Sequence, residues 1–266
     1  MATSSAEPDP GVVAALRAAG CVFAEEEAAL LEAAAQDDEL ALMVARRVAG
    51  EPLEQVLGWA EFCGLRIAVA PGVFVPRRRT EELAREAIGL AAQHGPGLVV
   101  VDLCCGTGAI GVAVAASLPG IELHSADLDP DAVACARLNV TTGQVHEGDL
   151  YDALPDHLRG RVDLLLVNAP YVPTGEIRLM PPEARLHEHH VALDGGADGV
   201  ALHRRVAAAA PAWLAPGGTL LIETSRHQAD ATAAACEAAG LHVDVLEVEE
   251  STLVRAISAS GPHLAE

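Results

Sequence analysis

Four residues end an apolar run in a way that suits chemistry. Asn168-Ala169-Pro170-Tyr171 follows Val162-Asp163-Leu164-Leu165-Leu166-Val167, so a carboxamide, a proline and a phenol stand where a buried parallel strand should stop. Open α/β sheets bind ligands beyond the carboxyl ends of their strands, which makes this corner a candidate reaction site. A second stretch, Val99-Val100-Val101-Asp102-Leu103-Cys104-Cys105-Gly106-Thr107-Gly108, is a strand that breaks into a glycine turn and opens a helix. Glycines there let the backbone approach a ligand closely, and the helix start offers free N–H groups. The next strand ends at Asp127, about twenty residues on, where a carboxylate can take both hydroxyls of a ribose.

The loop chemistry separates two cofactor classes. A dinucleotide site wants Gly-x-Gly-x-x-Gly aimed at a pyrophosphate; Gly106, Gly108 and Gly111 keep that spacing, but here an acid, Asp102, precedes the turn. An acid in that place suits a cation. S-adenosyl-L-methionine carries a sulfonium and an ammonium group and no phosphate. In that reading Leu128 packs on the adenine and Asp149, in Gly148-Asp149-Leu150, offers a carboxylate to the adenine amine. The plain alternative for Asp149 is a turn aspartate.

The elements that must position these residues alternate. Val12 to Gly20, Glu25 to Gln36 and Asp38 to Ala49 read as helices behind an irregular start, and residues 52–75 as a hairpin with a Pro-Gly turn. Pro76-Arg77-Arg78-Arg79-Thr80-Glu81-Glu82 opens a helix to about Gln93. Its arginines either pair with nearby acids or, at Arg77, face a ligand. Strands at Leu98 to Leu103, Ile121 to Asp127, near Val145, at 162–167 and at Thr219 to Glu223 are separated by helices at Gly106 to Ser117, Pro130 to Thr141, Val200 to Leu214 and Gln228 to Ala239. Leu241 to Glu249 and Thr252 to Ser258 close the chain as a hairpin. Such alternation predicts a doubly wound, Rossmann-like α/β sheet with an antiparallel edge.

Composition narrows the function classes. At 266 residues, one core domain with a smaller appendage is expected: a helical part over 1–50, a hairpin linker over 51–75 and the main domain over 76–266. A hydrophobic fraction of 51% without a membrane-length run, together with a polar start from Met1 to Pro10, predicts a cytoplasmic chain with no signal peptide and no membrane partner. The net charge of −21 argues against broad contact with nucleic acid. Over residues 1–60, eleven acidic residues face three arginines, which suggests an acidic face, either simply solvated or a dock for a basic partner. The six cysteines lack zinc spacing and read as reduced, mostly buried thiols; His187-Glu188-His189-His190 reads as an exposed loop, so no metal is expected.

Taken together, these residues resemble the S-adenosylmethionine-dependent protein-(glutamine-N(5)) methyltransferases of the HemK/PrmC type, which modify the Gly-Gly-Gln glutamine of peptide chain release factors. The likeness runs from about residue 50 to the end and more loosely over the helical start. It rests on Gly50-Glu51-Pro52-Leu53 through Phe62, Pro76-Arg77 with Thr80-Glu81, Asn168 to Tyr171, Glu183-Ala184-Arg185 and Ala192 to Gly199. The resemblance implies a class I methyltransferase fold with a helical N-terminal docking domain. It also implies a cofactor held by Asp102, Cys104, Gly106, Thr107, Gly108, Asp127, Leu128, Asp149, Leu150 and Asn168. Substrate contacts are expected from Arg77, Thr80 and Tyr171. Catalysis falls to Asn168, Ala169, Pro170 and Tyr171: the Asn168 oxygen and the Ala169 carbonyl each accept one N–H of the target amide, Pro170 fixes the backbone and Tyr171 packs on the acceptor. The family has Pro and Glu at Arg78 and Arg79 and Pro at Ala169, differences that bear on the acceptor, and Gly and Thr at Cys104 and Cys105, where Gly106 and Gly108 still keep a cofactor loop. Other readings of the same residues are a nucleic-acid exocyclic-amine methyltransferase, a small-molecule N-methyltransferase, and a cofactor-binding protein that acts through its acidic bundle.

Overall fold

The computed structural model describes residues 7–93, 97–248 and 251–259. The expected irregular start at 1–6 and strand end at Glu249 lie outside the described residues. Helices α1 (Pro10–Ala18), α2 (Ala24–Ala34), α3 (Asp37–Val48) and α4 (Leu53–Leu57) form the N-terminal bundle. Asp9 caps α1, accepting from Gly11 N at 2.7 Å and Val12 N at 3.2 Å, with Pro10 preset for the first turn. Acids open α3 and arginines close it, in line with the helix dipole. Leu16, Ala28, Leu31, Met43 and Val56 make the bundle's core, so α4 belongs with it physically. The hairpin follows as β1 (Trp59–Phe62) and β2 (Leu65–Ala68).

Next come α5 (Glu81–Ala91), β3 (Val99–Leu103), α6 (Ala109–Ser117), β4 (Glu122–Asp127), α7 (Pro130–Asn139), β5 (Gln144–Glu147) and β6 (Val162–Val167). After a long loop that holds α8 (Pro182–His187), the chain continues with α9 (Ala201–Ala209), β7 (Leu214–Thr224), α10 (Ala229–Ala238), β8 (His242–Val248) and β9 (Ser251–Ile257). The sheet order is β5-β4-β3-β6-β7-β9-β8, parallel except for β9. Its strand order reverses at β3 and β6, the switch point where α/β sheets open a crevice. Among the described residues no helix is long and apolar enough to cross a membrane.

Three expectations need correction. The hairpin turns at Cys63-Gly64, between Phe62 and its partner Leu65, and the Pro71-Gly72 pair expected to turn it follows the second strand. The helix expected to reach Leu214 stops at Ala209, because Pro211 cannot supply the next backbone donor; a 3-10 turn follows, and β7 begins five residues before the expected strand. The closing hairpin does not simply add an edge. Its last strand inserts between β7 and β8: β9 is buried along most of its length, while β8 is largely exposed and takes the rim.

Candidate active site

The strand ends converge on one cavity, lined from the glycine loop on one side and from the Asn168 corner on the other. Cys104, Gly106, Thr107, Asp127, Leu128, Asp149 and Leu150 line one part. Arg77, Thr80, Asn168, Ala169, Pro170 and Tyr171 line the other. Two of the expected residues stand behind this wall. Asp102 is fully buried on β3, and its Oδ2 accepts the Gly111 N–H at 2.9 Å, so it holds the start of α6 to the strand. Gly108 adopts φ +77°, and a Cβ there would press on Val140 at 3.1 Å. That glycine lets the loop pack on α7 and does not face a ligand.

The nucleoside side is held by backbone-to-carboxylate bonds. Asp127 closes β4, with Oδ2 accepting Gly106 N at 2.8 Å and Oδ1 accepting Asp129 N at 2.9 Å. Each oxygen keeps a further lone pair, enough for two vicinal hydroxyls. Burial pushes its carboxyl upward, opposed by those two N–H donors. Gly106 also lies at positive φ, but a Cβ on it would meet nothing within 4 Å, so its backbone borders open cavity. Leu128 is half exposed and lines the same part of the cavity, offering it an apolar surface. Asp149 has one oxygen on Arg205 at 2.8 Å. The buried Oδ1 of Asp102 has no hydrogen-bond partner, and burial lifts that carboxyl to about 7. A cation on the cavity side of the loop would favour the ionised form.

The acceptor side is organised around the Asn168 carboxamide. Its Nδ2 donates to the Thr80 hydroxyl at 3.3 Å. Thr80 is buried, and its hydroxyl oxygen is the acceptor for that amide hydrogen. That bond fixes the amide with Oδ1 outward. No hydrogen bond reaches Asn168 Oδ1 or the Ala169 carbonyl among the described residues, which leaves two acceptors side by side at the cavity wall.

Glu223 joins the site unmarked by the sequence reading, and Arg79, noted there only as a difference from the family, gains its partners from the fold. Glu223 is the penultimate residue of β7, and its buried Oε1 lies 3.4 Å from both Arg79 Nε and the Tyr171 hydroxyl. Arg79 also donates to the Tyr171 oxygen at 2.8 Å. Burial pushes Glu223 up against the pull of Thr80, Arg79 and Tyr171. Burial also raises the Tyr171 phenol and works against the Arg79 charge, which Tyr171 and Glu223 nevertheless sustain. The backbone of Tyr171 is clamped from the other side. Gln228 donates to its carbonyl at 2.8 Å, and a Cβ on Gly199 would collide with that same oxygen at 2.3 Å.

The segment read as an exposed His-Glu-His-His loop is a strap over the cavity rim. Glu188 is buried, ion-paired to Arg77 and accepting Val75 N at 3.2 Å. Arg77 lines the cavity, but this pairing and its stacking on Phe74 at 4.8 Å occupy its charge with the strap. His189 meets Asp129 at 2.6 Å, and its backbone N–H bonds Gly72 O at 2.8 Å. Gln55 joins the bundle to this strap through Val73 O and His187 O, both at 3.1 Å. All six cysteines are free thiols, Cys104 and Cys105 being raised well above their ordinary range by burial.

The methyltransferase small domain profile matches residues 67–186. A release factor glutamine methyltransferase of Geobacter sulfurreducens is 39% identical over 192 residues, which are 71% of this chain and 66% of the relative. One of Bradyrhizobium diazoefficiens is 35% identical over 88% of this chain and 80% of its own. A third relative, the 4-amino-L-phenylalanine/4-methylamino-L-phenylalanine methyltransferase of Streptomyces pristinaespiralis, is 38% identical over 74% and 69%. The chain thus spans just under two thirds of the Geobacter relative. A solved methyltransferase of Pyrococcus furiosus superposes with a TM-score of 0.55 at 15% identity, covering 81% of this chain and 97% of that one, a likeness of fold.

Proposed function

The chain belongs to the release factor glutamine methyltransferase family, and from that premise we propose that it is a cytoplasmic S-adenosylmethionine-dependent N-methyltransferase whose acceptor is a glutamine side-chain amide of a peptide chain release factor. The observation that carries this reading is the pair of outward acceptors, Asn168 Oδ1 and the Ala169 carbonyl, fixed in orientation by Thr80 and set beside the glycine loop. A primary amide has two N–H groups and a nitrogen lone pair delocalised into its carbonyl. Two fixed acceptors hold both hydrogens and turn the nitrogen face toward the cofactor side. The cofactor, when bound, supplies an electrophilic methyl group on a sulfonium.

Its cradle suits that group: Gly106 borders open space, Asp127 keeps lone pairs for a ribose, and the orphaned Asp102 oxygen favours a cation nearby. Leu128 would cover the adenine, with Asp149 at its amine. Positioning of this kind is worth roughly 7 to 11 kcal/mol, so no strong base is required. Tyr171 packs on the acceptor stem, held by Arg79 and Glu223. Ala169 retains the backbone carbonyl that the reaction uses and gives up only the rigidity of a proline.

A second reading rests on Arg79. The resemblance expects glutamate there, and the guanidinium at the Tyr171 hydroxyl instead favours an acceptor that carries a carboxylate, such as a free aromatic amino acid with an amine. The Streptomyces pristinaespiralis relative lends that reading weight. Transfer of tritiated methyl groups into a cell lysate, fractionated into protein, nucleic acid and small molecules, separates the two. Label in protein is expected; label confined to small molecules overturns the first reading.

A further inference from the structure

Opposite the cavity, three histidines and a glutamate gather at the foot of the sheet. Glu122 and His124 are two apart on β4, so both side chains leave the same face. His157 reaches them from a 3-10 turn behind Pro155. His124 Nε2 lies 3.1 Å from Glu122 Oε1, and His157 Nε2 lies 3.9 Å from that same oxygen. One donor atom from each of the three falls within 4.8 Å of the others. Four-coordinate zinc with bonds of about 2.0–2.1 Å sets its donors about 3.3 Å apart, so small side-chain movements bring all three into range.

The surroundings also match a metal centre. His124 is fully buried, and its Nδ1 meets His146 Nε2 at 2.9 Å, the kind of contact that orients a ligating imidazole through its other nitrogen. The rings of His124 and His146 stack at 5.2 Å and that of His157 stands edge-on at 6.2 Å, so the three are already ordered. Arg161 takes the other glutamate oxygen, Oε2, at 3.3 Å, leaving Oε1 as a single-oxygen ligand.

We propose that Glu122, His124 and His157 bind one divalent transition-metal ion of the zinc type, with His146 as the residue that positions His124. Two imidazoles and a carboxylate form a borderline donor set that prefers such ions over magnesium or calcium. Without metal, His146 Nε2–H donates to His124 Nδ1 and His124 Nε2–H donates to Glu122. On binding, His124 moves its proton to Nδ1, where His146 Nε2 now accepts it, and His146 carries its own on Nδ1. Neither ring changes charge. The ion would join the turn after β5 to β4 at the far end from Asp127, about 16 Å along the strand, so its role is to staple the sheet edge.

The full-length chain, stripped with a chelator, dialysed and loaded with Zn²⁺, should retain about one ion per molecule after desalting. Co²⁺ in its place should give the visible bands of a four-coordinate site. His157→Ala and Glu122→Gln, both at exposed or half-exposed positions, should each weaken binding at least tenfold with the fold intact by circular dichroism. His189→Ala, which disrupts the other carboxylate–histidine group at Asp129 and Asp131, should leave binding unchanged. Failure to retain stoichiometric metal, or affinity unaltered in both His157→Ala and Glu122→Gln, overturns the proposal.

Discussion

Replacing Thr80 with valine isolates the orientation of Asn168. The variant keeps the shape of a buried side chain and deletes the one acceptor that Asn168 Nδ2 uses, at 3.3 Å. A hydrogen bond of this type is worth about 1 to 1.5 kcal/mol. Expressed wholly in the transition state, that loss lowers turnover about five- to tenfold. A carboxamide that turns over would present its NH₂ group to the N–H groups of the acceptor, so the loss should appear in kcat. Cofactor affinity should stay within about twofold, because Asp127 and the glycine loop are untouched. The assay is steady-state methyl transfer with an acceptor established by fractionation, beside calorimetric titration of the cofactor. Thr80→Ser should restore turnover. Turnover within twofold of the parent in Thr80→Val, with Asn168→Ala inactive, would refute the idea that Thr80 sets the amide.

Asn168→Ala should lower turnover by roughly a hundredfold or more, with cofactor binding retained, as judged by the same two assays. Arg79→Ala leaves Glu223 without its cation; since the arginine is partly exposed, the loss should be about 1 to 2 kcal/mol in chemical denaturation, with a raised KM for the acceptor. Asp102 gives a pH signature. Its folded-state value of about 7 exceeds the ordinary 3.8, so between those values the folded chain holds a proton that the unfolded chain has released. Its contribution to stability therefore declines as pH rises through that window, and Asp102→Asn should flatten that part of the profile. The same ionisation strengthens attraction for a cationic cofactor, whose affinity should rise between pH 6 and 8 in the parent chain only; an equal rise in Asp102→Asn would show that another group is responsible.

Much of the site was legible because polar residues that end buried parallel strands stand out. Asn168 closes an apolar run and Asp127 ends a mostly buried strand, and the fold sets them on one cavity. Glu223 carries the same signal after Leu220-Leu221-Ile222, so it could have been found by the same rule. Arg79 could not, since its partners are 92 and 144 residues away and nothing local marks them. Glu188 was hidden for a similar reason: a glutamate among histidines reads as solvent-exposed until Arg77, 111 residues earlier, is folded against it. Asp102 illustrates the limit of spacing. Position in a loop motif says that a carboxylate is near the ligand, but the strand's alternation decides which side it faces, and here it faces inward. The order of the last two strands depended on which was more deeply apolar, a comparison that the hairpin pattern alone does not make.

The central claim, methylation of a glutamine amide, is tested most directly by mass spectrometry of a release factor incubated with the purified chain and S-adenosylmethionine. A gain of about 14 Da, one CH₂, is expected on the glutamine of the Gly-Gly-Gln peptide, and it should be lost in Asn168→Ala. An unmodified glutamine, under conditions where the same enzyme methylates an amino-acid amine, would contradict it.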